Sequence, residues 1–421
     1  MRARALMIAV ACVSLGLATP AGAADGRPGV TKTEIRVGGV ATLTGGVGTD
    51  YGGAFAGAQA YFDLVNRHGG VFGRRLRLVA RLDDHGQASG NVTANRTLIT
   101  NTKKKVFAVV PESVREFTGS KLLVTAGTPT FGWNVNLDWS RGPSLFGDTG
   151  SYRCFSCPAV PPAFVAHQLG ATKVAVLAAA SVQDVDCAEG IVASADKYGL
   201  NVVVRDDSMS ADLRGLADDV TKIRDQGAQL VSTCGFDLDQ VLRVAKALDT
   251  AKVSNVHVYG GDAYDPRALG HAGRSVRGVF FAVPFVPWER PDGSRGTKQF
   301  LAAMKRMNVA PSEAAQAGWI DAQLLVQGIR RAGKGFTQQS VVAAVNAMTG
   351  FDADGMLAGI DWTTGGHGPA RQICSAFVEA VRGRYVPRYG KPGQPFVCFP
   401  DNPVPPALDA PTYAPVTTGG K

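Results

Sequence analysis

Beyond its first two dozen residues the chain has no uninterrupted apolar run of membrane-spanning length, about 20 residues, so the rest is expected to be soluble. It lacks the local signatures of several enzyme classes: no Gly-x-Ser-x-Gly elbow, His-Glu-x-x-His helix or Walker phosphate loop occurs. Histidine is scarce, with six in 421 residues, and His85, His257 and His271 stand apart in sequence. Asp83-Asp84 is an adjacent carboxylate pair, but neighbouring strand residues point to opposite faces and do not act together. A dense basic face interleaved with aromatics is missing as well. The 44 basic and 35 acidic residues are scattered, and the tight run Lys103-Lys104-Lys105 reads as the solvated end of a helix. Nucleic-acid binding is therefore not expected, and no cofactor is called for.

What the chain does carry begins with a leader. Arg2 and Arg4 precede the apolar run Ala5 to Leu17, and Ala21-Gly22-Ala23 ends it as a small-residue cleavage site. That pattern is a secretory signal peptide, residues 1–23, too short for a comfortable membrane span. Cys12 sits inside the apolar run, which argues against a lipid anchor. Cleavage near Ala23 would export the chain to the periplasm or cell-envelope space and lower its formal charge from +9 to +7.

Six cysteines remain after cleavage: Cys154, Cys157, Cys187, Cys234, Cys374 and Cys398. An even number in an exported chain favours disulfides. Six allow fifteen pairings, which sequence does not assign; the expectation is Cys154–Cys157, Cys187–Cys234 and Cys374–Cys398. A zinc role for Cys154-Phe155-Ser156-Cys157 would want a second matched pair or two adjacent histidines. A redox role would want the pair to open a helix, whereas Pro158, Pro161 and Pro162 follow at once. A structural bridge is the expectation, with an exported thiol–disulfide oxidoreductase as the remaining enzyme alternative.

The stretch from Glu34 to Asp84 organises the rest. A short strand, Ile35 to Val40, leads into the turn Thr42-Leu43-Thr44-Gly45-Gly46. Tyr51, Phe55, Ala58, Phe62 and Val65 then recur at helical spacing, and Gly69-Gly70 ends the helix. A second strand, Leu76 to Leu82, follows. This is a βαβ unit and requires a parallel sheet. Alternation continues: strand 106–110, broken at Pro111-Glu112-Ser113; helix 114–124; strand 128–133. After a break near residues 140–165 it resumes with strand 173–180, a helix from about Cys187 to Tyr198, strand 201–205, helix 213–226, strand 229–234, helix 237–248, and strands 256–259 and 278–286.

After Pro287 three helical stretches follow, 300–307, 313–332 and 338–348, with no strand between them, and a last strand spans 372–381. About 400 mature residues exceed one compact core, so two lobes are expected. The expected fold is α/β, two doubly wound, Rossmann-like lobes joined by a hinge the chain crosses three times. An N-terminal lobe, 31–152, is completed by 287–360; a C-terminal lobe, 153–286, is completed by 361–400; residues 401–421, rich in proline and glycine, form a flexible tail.

An ordered set of motifs carries a resemblance. It comprises Glu34-Ile35-Arg36-Val37-Gly38, Leu43-Thr44-Gly45-Gly46, Tyr51-Gly52, Gly57-Ala58, Val65-Asn66-Arg67-His68-Gly69-Gly70-Val71, Gly73-Arg74-Arg75-Leu76 and Asp83-Asp84. Ala188-Glu189-Gly190, Gly260-Gly261-Asp262 and the Trp319 helix continue it, over about residues 31–380. Each piece is common; together, in this order, they resemble an extracytoplasmic solute-binding protein of the type I periplasmic fold. More narrowly, the chain is similar to the branched-chain amino-acid-binding group that feeds ABC importers.

The resemblance implies a non-enzymatic Venus-flytrap protein, a monomer that closes on a small solute between its lobes and presents it to an ABC importer permease. A sensor subunit for a membrane receptor is the alternative partner role. By position, the resemblance implies an aromatic at Tyr51, a hydroxyl for a ligand carboxylate at Ser113, and a loop at Asn134 and Asn136 whose backbone binds ligand. On the second lobe it implies an aromatic at Phe236 and an acidic group for a ligand ammonium at Asp262. Each has a plainer role open to it: helix packing for Tyr51, loop capping for the asparagines, an N-cap for Asp262. Glu112 and Arg115 depart from the pattern and read equally as surface-loop residues. Cys187 also departs, standing where the group commonly has an aromatic, so ligand preference does not carry over.

Overall fold

The computed structural model describes residues 27–45, 51–101, 105–150, 152, 154–261, 264–271, 278–291, 293–363, 373–399, 408 and 411–416. The expected leader and cleavage site, Lys103-Lys104 and Asp262 lie outside the described residues.

The chain builds one parallel sheet, then a second. The first lobe contains β1 (Glu34–Ala41), α1 (Gly53–Arg67), β2 (Arg75–Asp83), α2 (Ala88–Thr100) and β3 (Ala108–Ser113). It continues with α3 (Ser120–Thr125), β4 (Thr130–Gly132) and β5 (Leu145–Gly147). Its sheet runs β2-β1-β3-β4-β5, all parallel. The interior strand β1 is covered on both faces, which is why Ile35, Val37 and Val40 have no exposed surface.

The second lobe opens with α4 (Val160–Gln168) and alternates through β6 (Lys173–Ala179), α5 (Val182–Lys197), β7 (Asn201–Met209) and α6 (Leu216–Gln226). It proceeds with β8 (Leu230–Cys234), α7 (Leu238–Thr250), β9 (His257–Gly260), α8 (Pro266–His271) and β10 (Val279–Val283). Then come α9 (Arg295–Met307), α10 (Glu313–Ala332) and α11 (Gln338–Asn346), followed by β11 (Ile373–Val381), β12 (Arg384–Arg388), β13 (Phe396–Phe399) and β14 (Thr412–Ala414). Strands β6 to β10 are parallel, and β11 joins β10 antiparallel, carrying β12, β13 and β14 at that edge. The chain passes between the sheets after β5, after β10 and between α11 and β11.

Helix α10 lies on the first lobe, packed along α1 and over β3 and β4. Two glycines permit the close approach: a Cβ at Gly57 would stand 1.6 Å from the Ala315 carbonyl oxygen, and one at Gly318 would stand 2.0 Å from that of Ala54. Trp319 is fully buried there, edge-on to Tyr61 at 5.0 Å.

Several elements differ from the sequence reading. Strand β3 runs through Pro111 to Ser113 rather than stopping before it, since β1 pairs with Glu112 and Ser113 beyond the proline. The helix expected over 114–124 is confined to Ser120–Thr125, leaving Val114 to Gly119 as a loop. Helix α5 starts at Val182, because Ser181 caps it by accepting from the Asp184 N–H, and Cys187 falls in its second turn. The expected break at 140–165 contains β5 and α4. The tail expected to be flexible contributes β14, paired with β13. Among the described residues, no helix is long and apolar enough to cross a membrane.

Candidate ligand-binding cleft

In open α/β sheets a crevice forms outside the carboxyl ends of the strands, where the strand order reverses. In the first sheet that point lies between β1 and β3, in the second between β6 and β8. The loops that leave these strands face one another and enclose a cavity of about 320 Å³, at the small end of the roughly 300–1,000 Å³ typical of small-molecule sites.

The first lobe supplies an aromatic wall. Tyr51, just before α1, packs on Trp133, just after β4, with ring centroids 5.3 Å apart; Val135 and Phe155 complete the wall. The loop after β1 is tied down by Asp83, whose carboxylate accepts from the Leu43, Thr44 and His85 N–H groups and from the Thr44 hydroxyl. Desolvation pushes the Asp83 pKa up, but these bonds outweigh it and hold it at about 2. This accounts physically for the Asp83-Asp84 motif: Asp84 likewise caps its own turn at the Gly86 N–H.

The second lobe supplies two helix N-termini and a disulfide. Ser181 caps α5, and Asp237 caps α7 in a reciprocal box with Gln240. Met209, Phe236 and the Cys187–Cys234 pair line the cavity between them. The sulfurs of that pair stand 2.00 Å apart, tying α5 to the end of β8 across 47 residues. Cys154–Cys157 and Cys374–Cys398 also stand at bonding distance, 1.98 and 2.04 Å. The first of these shapes the loop that carries Phe155 into the cleft. That loop sits so close on α5 that a Cβ at Gly190 would lie 2.0 Å from the Phe155 carbonyl oxygen.

Arg115 spans the gap between the lobes. From the loop after β3, its Nη2 donates to Ser181 Oγ at 3.0 Å and to Asp184 Oδ2 at 2.9 Å. Gln183 Nε2 donates back to the Arg115 carbonyl at 2.7 Å. Ser181 Oγ donates to Asp184 Oδ2 at 2.5 Å, and Asp184 rests against Gly235, where a Cβ would touch its carboxylate. The ion pair is thus anchored on the second lobe and reached from the first.

Of the residues singled out in the sequence, Tyr51 and Phe236 line the cavity. Ser113 is buried, with no hydrogen-bond partner on its hydroxyl, and is not among the lining residues. Asn134 is buried in its own loop, donating to the Gly150 carbonyl and accepting from Thr149 Oγ1. Asn136 donates to the Arg115 carbonyl, behind the cleft wall. Asp262 follows Gly261, which does line the cavity, but is itself outside the described residues. The surface-loop reading fails for Glu112, which is fully buried under Asn91 and Asn95, and for Arg115, which lines the cleft. Trp133, Phe155, Ser181, Asp184 and Met209 were not legible as site residues, though the switch-point rule picks out the Ser181 loop once strand order is known.

Comparison with known proteins agrees with this geometry. The model of a family described as periplasmic binding protein matches residues 34–384. A branched-chain amino acid ABC transporter protein from Thermus thermophilus, solved with bound valine, is 19% identical, with a TM-score of 0.70 over 86% of this chain and 96% of that one. The substrate-binding protein LivJ from Streptococcus pneumoniae, in complex with isoleucine, is 18% identical, with a TM-score of 0.68 over 86% and 100%. A solute-binding protein from R. palustris, in complex with benzoate, is 16% identical, with a TM-score of 0.64 over 84% and 95%. No curated protein sequence matches the chain significantly. Two parallel sheets meeting at their switch points, and a family model that spans both, lead to one conclusion: the chain belongs to the periplasmic binding protein family, the extracytoplasmic solute-binding components of ABC importers, which bind without catalysing.

Proposed function

We propose that this protein, exported after cleavage near Ala23 and acting as a monomer, traps a small carboxylate-bearing solute, an amino acid or a related small carboxylate, and delivers it unchanged to its permease. The observation that carries this reading is the cavity at the two switch points, walled by aromatics on one lobe and bridged by Arg115 to the other. A solute touching both walls stabilises the closed arrangement, so binding is a shift of population between lobe positions. Tyr51 and Phe236 serve as apolar walls on opposite sides of the ligand. Ser113 and the Asn134–Asn136 loop support the carboxylate side, and Asp262 meets an ammonium where the solute has one. The protein with valine and the one with benzoate lend support for amino acids and aromatic acids respectively.

A thermal-shift screen of the mature protein against amino acids and small organic acids tests the proposal. A solute at 100 times its dissociation constant stabilises by about 2.7 kcal/mol, a clear rise in melting temperature. Recovery of the solute unchanged by mass spectrometry is expected; a chemically altered product, or no response across the screen, rejects it.

A further inference from the structure

We propose that Arg115 is the anchor for the solute's carboxylate, and that the cleft selects small apolar carboxylates through the donors of this guanidinium that Asp184 leaves free. The inference rests on the reading of the cleft as the solute trap. Guanidinium has five N–H donors in a rigid fork. Arg115 spends Nη2 on Ser181 and Asp184. Its Nε and Nη1 have no acceptor among the described residues, although the side chain is only 35% exposed. A carboxylate in the cleft can accept from Nη1 or from Nε, charge-assisted bonds of the kind that make arginine a preferred partner of anions. Asp184 and Ser181 hold Nη2 and act as positioning residues.

The charges around the cavity are largely offset, so an anion is not repelled. Asp184 and Asp237 each sit in the first turn or cap of a helix whose N-terminus carries about half a positive charge, which offsets much of their own. Arg115 is the one cation among the described lining residues, and with both offsets the lining comes close to neutral. The walls define the rest of the solute. Tyr51, Trp133 and Phe155 face Met209, Phe236 and the Cys187–Cys234 sulfurs, so the body beyond the carboxylate is apolar and no larger than a ring or a branched aliphatic chain. Closure follows from the same contact, because the residue that holds the anion belongs to one lobe and is docked on the other.

The test uses matched acid and amide probes: phenylacetate with phenylacetamide, isovalerate with isovaleramide, and leucine with leucinamide. Binding to the full mature protein is measured by calorimetry. At least one acid should bind, and its amide should bind at least tenfold more weakly. Arg115→Gln should weaken that acid roughly 30-fold or more, the cost of removing one partner of a partly buried charged pair, and abolish the acid-over-amide preference. Arg115→Lys should restore part of it. Asp184→Asn keeps the shape against Gly235 and should keep or widen the preference, since the guanidinium loses a competing carboxylate. An unchanged melting temperature for the unliganded variants confirms folding. If Arg115→Gln binds the acid as tightly as the wild type, or acid and amide bind alike, the anchor is refuted while the solute trap stands. If no probe, acid or amide, binds the wild type, the trap itself fails and the anchor with it.

Discussion

Glu112 is the residue whose chemistry departs furthest from its place in the sequence. It stands one residue before the end of β3 with no exposed surface, its Oε1 accepting from Asn91 and Asn95 at 2.7 and 3.0 Å. Burial raises its pKa from the usual 4.5 to about 8, against the pull of the two asparagines and with Asp84 adding to the rise. The folded state therefore holds a proton that the unfolded state releases above about 4.5, so this group's contribution is full below that pH and is lost as pH rises through about 8. Asp321, pushed up by burial and then by Asp148, acts in the same direction. Urea denaturation at pH 5, 7 and 9 should show Glu112→Gln close to wild type at pH 5 and more stable than wild type at pH 9. A wild-type advantage at pH 9 would mean the carboxylate is ionised and paid for by contacts not evident at this site.

At the scale of elements, the contact that holds the first lobe together is α1 against α10, helices separated by more than half the chain. Gly57 and Gly318 face backbone carbonyls of the opposite helix, and neither has room for a methyl group. Gly318→Ala should destabilise by about 1–3 kcal/mol, the range for overpacking a close contact, although alanine is the better helix former. Gly335 has open space around it, so Gly335→Ala serves as a control that leaves stability near the wild-type value. Equal denaturation midpoints for the two variants would show that α1 and α10 yield easily. The Cys187–Cys234 pair works at the same scale: it joins the second turn of α5 to the end of β8, holding the Ser181–Asp184 segment in place from behind.

For the whole molecule, the decisive feature is that, among the described residues, the two lobes touch through few polar contacts at the cleft. Arg115 reaches Ser181 and Asp184, and Gln183 reaches back. A single, partly exposed ion pair of this kind contributes little by itself, about 0–1 kcal/mol, so it biases the lobe equilibrium without locking it, leaving room for a solute to decide. Small-angle scattering of ligand-free Asp184→Ala should therefore give a larger radius of gyration than wild type, as the bridge is lost and the open arrangement gains population. Superimposable curves would show that other contacts set the lobe spacing.

What the sequence determined by itself is the part written in local periodicity. Helical spacing from Tyr51 to Val65, the Gly69-Gly70 stop and the strand at Leu76 specify a βαβ unit without reference to anything distant, and the ordered motifs were enough to recognise the family. The six cysteines beyond the N-terminal apolar run likewise suggested disulfides, and the fold brings them to bonding distance in three pairs. The cleft was only partly legible. Tyr51 and Phe236 follow strand ends and do line the cavity, but Arg115 and Asp184 meet across 69 residues and two lobes. No spacing rule connects residues on different lobes. Which way a loop side chain points depends on the backbone path after the strand and on how the lobes are set against each other. The burial of Glu112 was hidden for the same reason: it follows from α2 laying Asn91 and Asn95 across the end of β3. Tertiary packing alone decided that a glutamate and an arginine three residues apart would end up in such different surroundings, one sealed in the core and one reaching across the cleft.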